Sequence, residues 1–117
     1  MSRKVIFYKT VDGKCPIKEY LDSLSDKDAR KISWTLSLLE EMDIVPAVYF
    51  KKLEGTEAIW ECRIRCGSVS HRIFCFFTGR SVIVLTNGFL KKGRKAPKIE
   101  IRRAELIRRE YIARRKG

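Results

Sequence analysis

The sequence predicts an α+β fold: an N-terminal strand, a helical hairpin, an antiparallel β-meander and a basic C-terminal helix. Two successive segments with helical periodicity near the N-terminus predict the hairpin. Three β-branched and aromatic segments, separated by short glycine-containing loops, predict the meander. A length of 117 residues favours a single domain that spans residues 1–117.

The first half of the chain supplies the strand and both helices. Residues 4–9 are β-branched and aromatic, which is typical of a strand. Pro16 opens the first helix, where its missing N–H does no harm. Residues 25–28 resemble a capping box with Asp in place of Glu or Gln, and the second helix extends to about Met42. Apolar residues recur at helical spacing in both helices and should cover a sheet: Ile17, Tyr20, Leu21, Leu24, Ala29, Ile32, Leu36 and Leu39.

The second half is read as four strands and a helix. The strands are predicted at residues 48–53, 58–66, 69–78 and 81–90. The last three are joined by Gly67-Ser68 and Gly79-Arg80, each with glycine first in a two-residue loop, which indicates type II′ turns. Pro97 starts the final helix, which runs to about residue 114 and has one side formed by Ile101, Ala104, Arg108 and Tyr111, with Ile107 nearby.

These loops set the strand registers and therefore the two faces of the sheet. Arg63 is predicted opposite Arg72, and Arg72 in turn opposite Asn87. The core face should carry Trp60, Cys62, Ile64, Ile73, Cys75, Phe77, Val82 and Val84. The other face should be apolar at one end, with Phe74, Phe76, Ile83 and Leu85, and polar at the other, with Glu61, Arg63, Arg65, Arg72 and Asn87.

The predicted Arg63–Arg72 pair is the first candidate site, because like charges directly opposite each other destabilise a sheet. Two interpretations follow. In the functional one, the two guanidinium groups hold a phosphate. In the structural one, Glu61 balances them in a ladder of Glu and Arg side chains on a solvated face.

A basic loop follows the last strand and is the second candidate site. The net charge of the chain is +12, and residues 87–117 alone hold twelve Lys and Arg against three acids. This asymmetry indicates a polyanionic partner, nucleic acid first. A solvated helix that only confers solubility and an acidic protein partner are the alternatives. Five cations lie within eight residues of the loop: Lys91, Lys92, Arg94, Lys95 and Lys98.

Several other functional classes have no support in the sequence. The four cysteines lack the spacing of a metal site and are read as reduced core thiols. His71 alternates onto the core side, where a structural role is favoured over that of a general base. No nucleotide-binding glycine loop, Ser/His/Asp set or paired carboxylates occur. We therefore expect no metal and no cofactor. No signal peptide or apolar run of about 18 residues is present, so we expect a cytoplasmic protein without a membrane partner.

The motifs at residues 52–64, 71–73 and 88–104 resemble those of the phage-derived HigB-like branch of the RelE/ParE toxin superfamily. Residues 52–64 (K-L-E-G-T-E-A-I-W-E-C-R-I) are similar to its "K-L-x-G…L-W-E-L-R" stretch. Residues 71–73 (H-R-I) match its "Y-R-I" in two of three places. Residues 88–104 are similar to its "G-F-x-K-K…K-T-P…E-I…A". Cys62, His71 and Ala96 depart from the usual Leu, Tyr and Thr.

The resemblance implies a toxin of a type II toxin–antitoxin system, a ribosome-dependent mRNA endonuclease that inhibits translation. Carried over by position, Arg63 and Arg72 would stabilise the phosphate in the transition state. Lys91 or Lys92 would accept a proton or contact the phosphate. Cleavage would use the 2′-OH of the RNA, without a metal, and would leave a 2′,3′-cyclic phosphate and a 5′-hydroxyl. The implied partners are the ribosome, mRNA and a cognate antitoxin, usually one with a helix-turn-helix domain.

Further residues are expected to contact RNA or the ribosome. Phe89 could stack on a base or belong to the core. The others are cations near the predicted site: Lys51, Lys52, Arg65, Arg94, Lys95, Lys98 and Arg102. Three other functions are compatible with the sequence: a ParE-like poison of DNA gyrase, a non-catalytic nucleic-acid-binding protein, and an inactive phage accessory protein.

Overall fold

A five-stranded sheet with helices on both faces forms the protein, as seen in a computed structural model that describes residues 3–116. The predicted α+β class and element order are confirmed. In chain order the elements are β1 (Lys4–Phe7), α1 (Pro16–Asp22), α2 (Asp26–Glu41), β2 (Phe50–Lys52), β3 (Trp60–Cys66), β4 (Val69–Thr78), β5 (Val82–Leu90) and α3 (Lys98–Lys116).

The order of strands across the sheet is β1-β5-β4-β3-β2. Strands β2 to β5 form the predicted antiparallel meander. Strand β1 lies parallel to β5 at the opposite edge. A parallel pair needs a crossover connection, and part of it is supplied here by α1 and α2.

The ends of several elements differ from the prediction. Strand β1 ends at Phe7, and β2 begins only at Phe50. The later start of β2 has a local cause, because the backbone N–H groups of Tyr49 and Phe50 both donate to Pro46 O in a turn.

Only one of the two hydrogen bonds of a capping box forms at residues 25–28. Ser25 Oγ accepts from the Asp28 N–H at 3.2 Å, but the Asp28 carboxylate bonds to His71 rather than returning to Ser25.

The second hairpin differs from its predicted register by one residue. Residues 79–81 form a three-residue turn, so Thr78 pairs with Val82 instead of Ser81. A shift of one residue turns a strand over. Val82 and Val84, predicted on the hairpin side, therefore pack with α3 residues, and Ile83 and Leu85 pack with the hairpin instead.

A β-bulge in β5 shifts the register once more near the site. Ile73 pairs with Gly88 while Cys75 pairs with Leu85, which leaves Phe74 opposite both Thr86 and Asn87. Arg72 consequently faces Phe89, and the predicted Arg72–Asn87 pair is wrong. Both bulge residues are fully buried. The Asn87 amide donates to Glu100 Oε1 at 3.0 Å, which ties the bulge to α3.

Each face of the sheet has its own apolar core. Helices α1 and α2 cover one face, through a cluster that includes Ile17, Ile32 and Leu36. Helix α3 covers part of the other face, where Ala104 and Tyr111 are buried against sheet residues. Within residues 3–116, no helix combines the length and the apolar character that crossing a bilayer requires.

Candidate functional site

Arg63 and Arg72 lie directly opposite each other on β3 and β4, as predicted from the two-residue turn between these strands. Glu61 precedes Arg63 by two residues and therefore shares their face. Its carboxylate lies between the two guanidinium groups. Oε1 is 2.9 Å from Arg63 Nε, and Oε2 is 3.5 Å from Arg72 Nε. We call these three residues the arginine–glutamate cluster.

Glu61 is the residue that sequence reasoning undervalued. Only 2% of it is exposed. Its carboxylate provides the negative charge that two opposed arginines need, so the cluster carries one net positive charge without any bound anion. The spacing of two residues between Glu61 and Arg63 was the signal for this contact. The structural interpretation agrees with these contacts in that Glu61 balances the two arginines, but Glu61 is buried and does not lie on a solvated face.

Arg72 is the more enclosed of the two arginines, with 13% of its side chain exposed against 32% for Arg63. Its Nη1 donates to Ser70 Oγ at 2.6 Å, while its Nε is buried without a hydrogen-bond partner in residues 3–116. Burial lowers the pKa of Arg72, Glu61 opposes that effect, and the nearby charge of Arg63 adds to it. An arginine in this setting remains charged at neutral pH.

Lys91 continues the β4–β5 ladder by one residue, because its N–H donates to Ser70 O at 2.9 Å. Alternation along the strand puts Lys91 on the same face as Phe89 and Arg72. Ser70 thus contacts both residues: its carbonyl accepts from the backbone N–H of Lys91, and its hydroxyl accepts from the Arg72 guanidinium. Lys91 Nζ donates to Arg94 O at 2.8 Å and so holds the start of the basic loop.

The remaining cations of the basic loop are exposed, and in the chain they follow directly on the end of β5. Gly93 has a φ of 86°, a conformation that glycine adopts readily, and it turns the chain toward α3. The exposed cations of this segment are Lys92, Arg94, Lys95, Lys98 and Arg102.

The predicted cations of β2 and β3 divide between the faces. Lys51 pairs directly with Glu61 and so joins the face of the arginine–glutamate cluster. Arg65 shares that face and donates through Nε to Gly67 O at 3.1 Å. Lys52 lies on the opposite face and donates to Thr56 O. The structure therefore gathers Lys51, Arg63, Arg65, Arg72 and Lys91 on one face, which we call the cationic face.

Phe89 is not available to stack on a base. It is 7% exposed and packs edge-to-face on Phe74, with 5.0 Å between ring centroids. This burial supports the core role that the sequence also allowed for Phe89 and argues against its predicted contact with RNA.

The basic C-terminal helix is partly engaged within the protein. Arg108 donates to Glu57 Oε2 at 2.8 Å, and Arg114 donates to Lys9 O at 2.7 Å. Arg114 also pairs with Glu110 at 3.2 Å. Part of the positive charge of α3 is therefore engaged in contacts within the protein.

Comparison with known proteins identifies a family for the chain. No curated protein matches its sequence. The family model described as "Phage derived protein Gp49-like (DUF891)" matches residues 19–109. This span is well over half of the chain and contains the cationic face and the basic loop. Membership of this family is compatible with a function as a toxin of a toxin–antitoxin system. A toxin of that kind implies an antitoxin partner. The chain belongs to the phage-derived Gp49-like family.

Proposed function

We propose that this protein is a toxin that cleaves mRNA on the ribosome and thereby inhibits translation. Membership of the Gp49-like family supports the assignment as a toxin. The observation that carries the proposal of a nuclease is the cationic face, where Arg63 and Arg72 adjoin each other beside Lys91. Cleavage of RNA passes through a phosphorane-like state with extra negative charge, and fixed cations stabilise that state.

The proposed chemistry uses the nucleophile that RNA supplies. The 2′ oxygen attacks the adjacent phosphorus, the bond from phosphorus to the 5′ oxygen breaks, and a 2′,3′-cyclic phosphate forms. Lys91 or Lys92, in its neutral amine form, takes the 2′ proton, and the ammonium so formed, or water, gives a proton to the departing 5′ oxygen, which becomes a hydroxyl. Arg63 and Arg72 contact the non-bridging oxygens, where charge develops. This scheme requires no metal ion.

Glu61 has a positioning role in this scheme. Its contacts keep the two guanidinium groups in place when no substrate is bound. It also occupies the position where an incoming phosphate would bind, so phosphate must compete with it. Weak cleavage of free RNA is the expected result, and alignment of mRNA by the ribosome would compensate for it.

The ribosome and an antitoxin are the proposed partners. The net charge of +12 favours binding to ribosomal RNA through counterion release. Exposed Lys92, Arg94 and Lys95 extend the cationic face toward that partner. An antitoxin that covers this face would block access of RNA to the arginines.

The test is induction in cells, followed by mapping of mRNA 5′ ends with translation active or blocked. We expect cuts in codon register that vanish when translation stops. Arg63→Ala should reduce cleavage by about 10²–10³-fold, as loss of one transition-state donor does, and Lys91→Ala should reduce it as well. Arg80→Ala is the matched control, since Arg80 is exposed in the turn at the far end of β4. Full toxicity in both Arg63→Ala and Lys91→Ala would remove the site assignment.

A non-catalytic nucleic-acid-binding protein is the second candidate. It is favoured by one observation, the compensation of Arg63 and Arg72 by Glu61 without any substrate. This candidate predicts ribosome or nucleic-acid binding, no new 5′ ends and no growth arrest. A gyrase poison would instead arrest growth with DNA breaks and intact mRNA.

A further inference from the structure

A second cluster lies on the other face of the sheet, and the proposed toxin activity does not use it. Asp28 comes from the first turn of α2, Cys66 is the last residue of β3, and His71 is the third residue of β4. One oxygen, one sulfur and one nitrogen of these residues lie within 4.8 Å of one another. We propose that Asp28, Cys66 and His71 form a binding site for a zinc-like divalent cation, which links the helical hairpin to the β3–β4 turn.

The fold brings these groups together because of the turn at Gly67 and Ser68. His71 pairs with Ile64 across the two strands, and Cys66 follows Ile64 by two residues. Both side chains therefore emerge on the face that α1 and α2 cover. Asp28 reaches them from above, since α2 begins over this end of the sheet. The arginine–glutamate cluster lies on the opposite face, so the two sites are separate.

The donor set has the chemistry of a zinc site. Thiolate, imidazole and carboxylate are the three side-chain ligands that Zn²⁺ takes in proteins. A soft thiolate beside an imidazole disfavours Mg²⁺ and Ca²⁺, which bind oxygen ligands. Three protein ligands leave the fourth tetrahedral position for water or another ligand. In a tetrahedral complex the nitrogen and sulfur ligands lie about 3.6 Å apart. Because the three ligand atoms already lie within 4.8 Å of one another, a contraction of at most roughly 1 Å closes the site.

His71 is held in the orientation that metal binding needs. Its ring is completely buried, and Nδ1 lies 2.6 Å from the hydroxyl oxygen of Tyr20. On the other side, Nε2 lies 3.0 Å from Asp28 Oδ2. A metal-bound histidine typically donates its second N–H to a neighbouring acceptor. The Tyr20 hydroxyl can accept that N–H when Nε2 binds the metal, and can donate to Nδ1 when Nε2–H faces Asp28.

The charges of the ligands in their metal-binding forms also suit a divalent cation. The thiol proton leaves to solvent when the metal binds. Thiolate and carboxylate then balance the two positive charges of the ion. Asp28 and Cys66 are only partly buried, which gives the ion a path from solvent.

The test uses the full chain, stripped of metal by a chelator and then titrated with Co²⁺. We expect saturation at one equivalent, with tetrahedral d–d bands and a thiolate-to-cobalt charge-transfer band that Zn²⁺ removes by displacement. Cys66→Ser should abolish the charge-transfer band. Cys15→Ser is the matched control, because Cys15 precedes α1 and makes no side-chain capping hydrogen bond. This control should keep the band.

A second variant separates metal binding from mere folding. Tyr20→Phe leaves all three ligands in place and removes the oxygen that orients His71. Loss of such a supporting contact lowers metal affinity about 10–100-fold, so the variant should bind Co²⁺ that much more weakly. Zn²⁺ should raise the melting temperature of the native sequence and of Cys15→Ser, but not of Cys66→Ser. The absence of a charge-transfer band in the native sequence overturns the proposal. A band of equal strength in Cys66→Ser also overturns it, since the ion then binds elsewhere.

Discussion

Neutralising Glu61 is the sharpest test of the arginine–glutamate cluster. Glu61→Gln keeps the shape of the side chain and removes its charge. The glutamine retains one acceptor oxygen, so an NH₂ group must face the other guanidinium, donor against donor. Arg63 and Arg72 are left directly opposite each other without an anion between them.

The size of the effect follows from the burial of the three groups. Removing one partner of a buried ion pair costs about 3–5 kcal/mol. Arg63 is a third exposed and can regain water, whereas Arg72 is 13% exposed and cannot do so fully. We therefore expect the free energy of unfolding to fall by about 3 kcal/mol. For a chain of this length that corresponds to a melting temperature lower by roughly 10 °C.

Urea and thermal unfolding followed by circular dichroism measure this loss. Glu57→Gln is the matched control, because Glu57 also pairs with an arginine, Arg108, but has 69% of its side chain exposed. An exposed pair contributes less than about 1 kcal/mol. Equal stability of the two variants would refute the account of Glu61 as the charge that holds both arginines.

The same variant tests whether the two arginines can hold phosphate. With Glu61 neutral, inorganic phosphate should bind between them and restore stability by mass action. The melting temperature of Glu61→Gln should rise more with phosphate than that of Glu57→Gln at equal ionic strength. An equal rise in both variants would count against a phosphate site on this face.

Three further predictions concern packing, ionisation and ribosome binding. Gly88→Ala should destabilise the fold by about 1–3 kcal/mol in urea unfolding, because an added Cβ would lie 2.7 Å from Ile73 Cδ1 and 2.8 Å from Tyr20 Cδ2. Burial, with a smaller effect of the Asp28 charge, raises the pKa of Tyr20 from 10.0 to about 12. A raised folded-state pKa contributes stability that is complete below pH 10 and is lost as the pH rises to about 12, so unfolding measurements should show a loss there that is smaller in Tyr20→Phe. Ribosome pelleting should fall steeply as salt increases, and pelleting that is insensitive to salt would contradict the proposed contact with ribosomal RNA.

The parts of the fold that were predictable depend on local signals. The Gly67-Ser68 turn fixed the pairing of Arg63 with Arg72, because a two-residue loop leaves one register. The same reasoning failed at Gly79-Arg80, where the turn takes a third residue, Ser81. Glycine is favoured in loops of both lengths, so sequence alone did not distinguish them.

Contacts between segments that lie far apart in the chain could not be predicted from the sequence. The β-bulge at Thr86 and Asn87 is stabilised by Glu100 on α3, and no local sequence pattern predicts it. The proximity of Asp28 to His71 joins positions 43 residues apart. Spacing rules for metal ligands cannot detect such a pair, because each ligand comes from a different element.

The bulge in β5 reverses which side chains face each side of the sheet within one strand. Before it, alternate residues such as Ile83 and Leu85 face the helical hairpin. An unbroken alternation would send Lys91 to that same side, away from Arg72. The single inserted residue reverses the alternation of side chains. The odd-numbered residues of β5 therefore face the helical hairpin before the bulge and lie on the side of the cationic face after it. A deletion or insertion of one residue here would exchange the two sides of the strand without altering the composition of the basic loop.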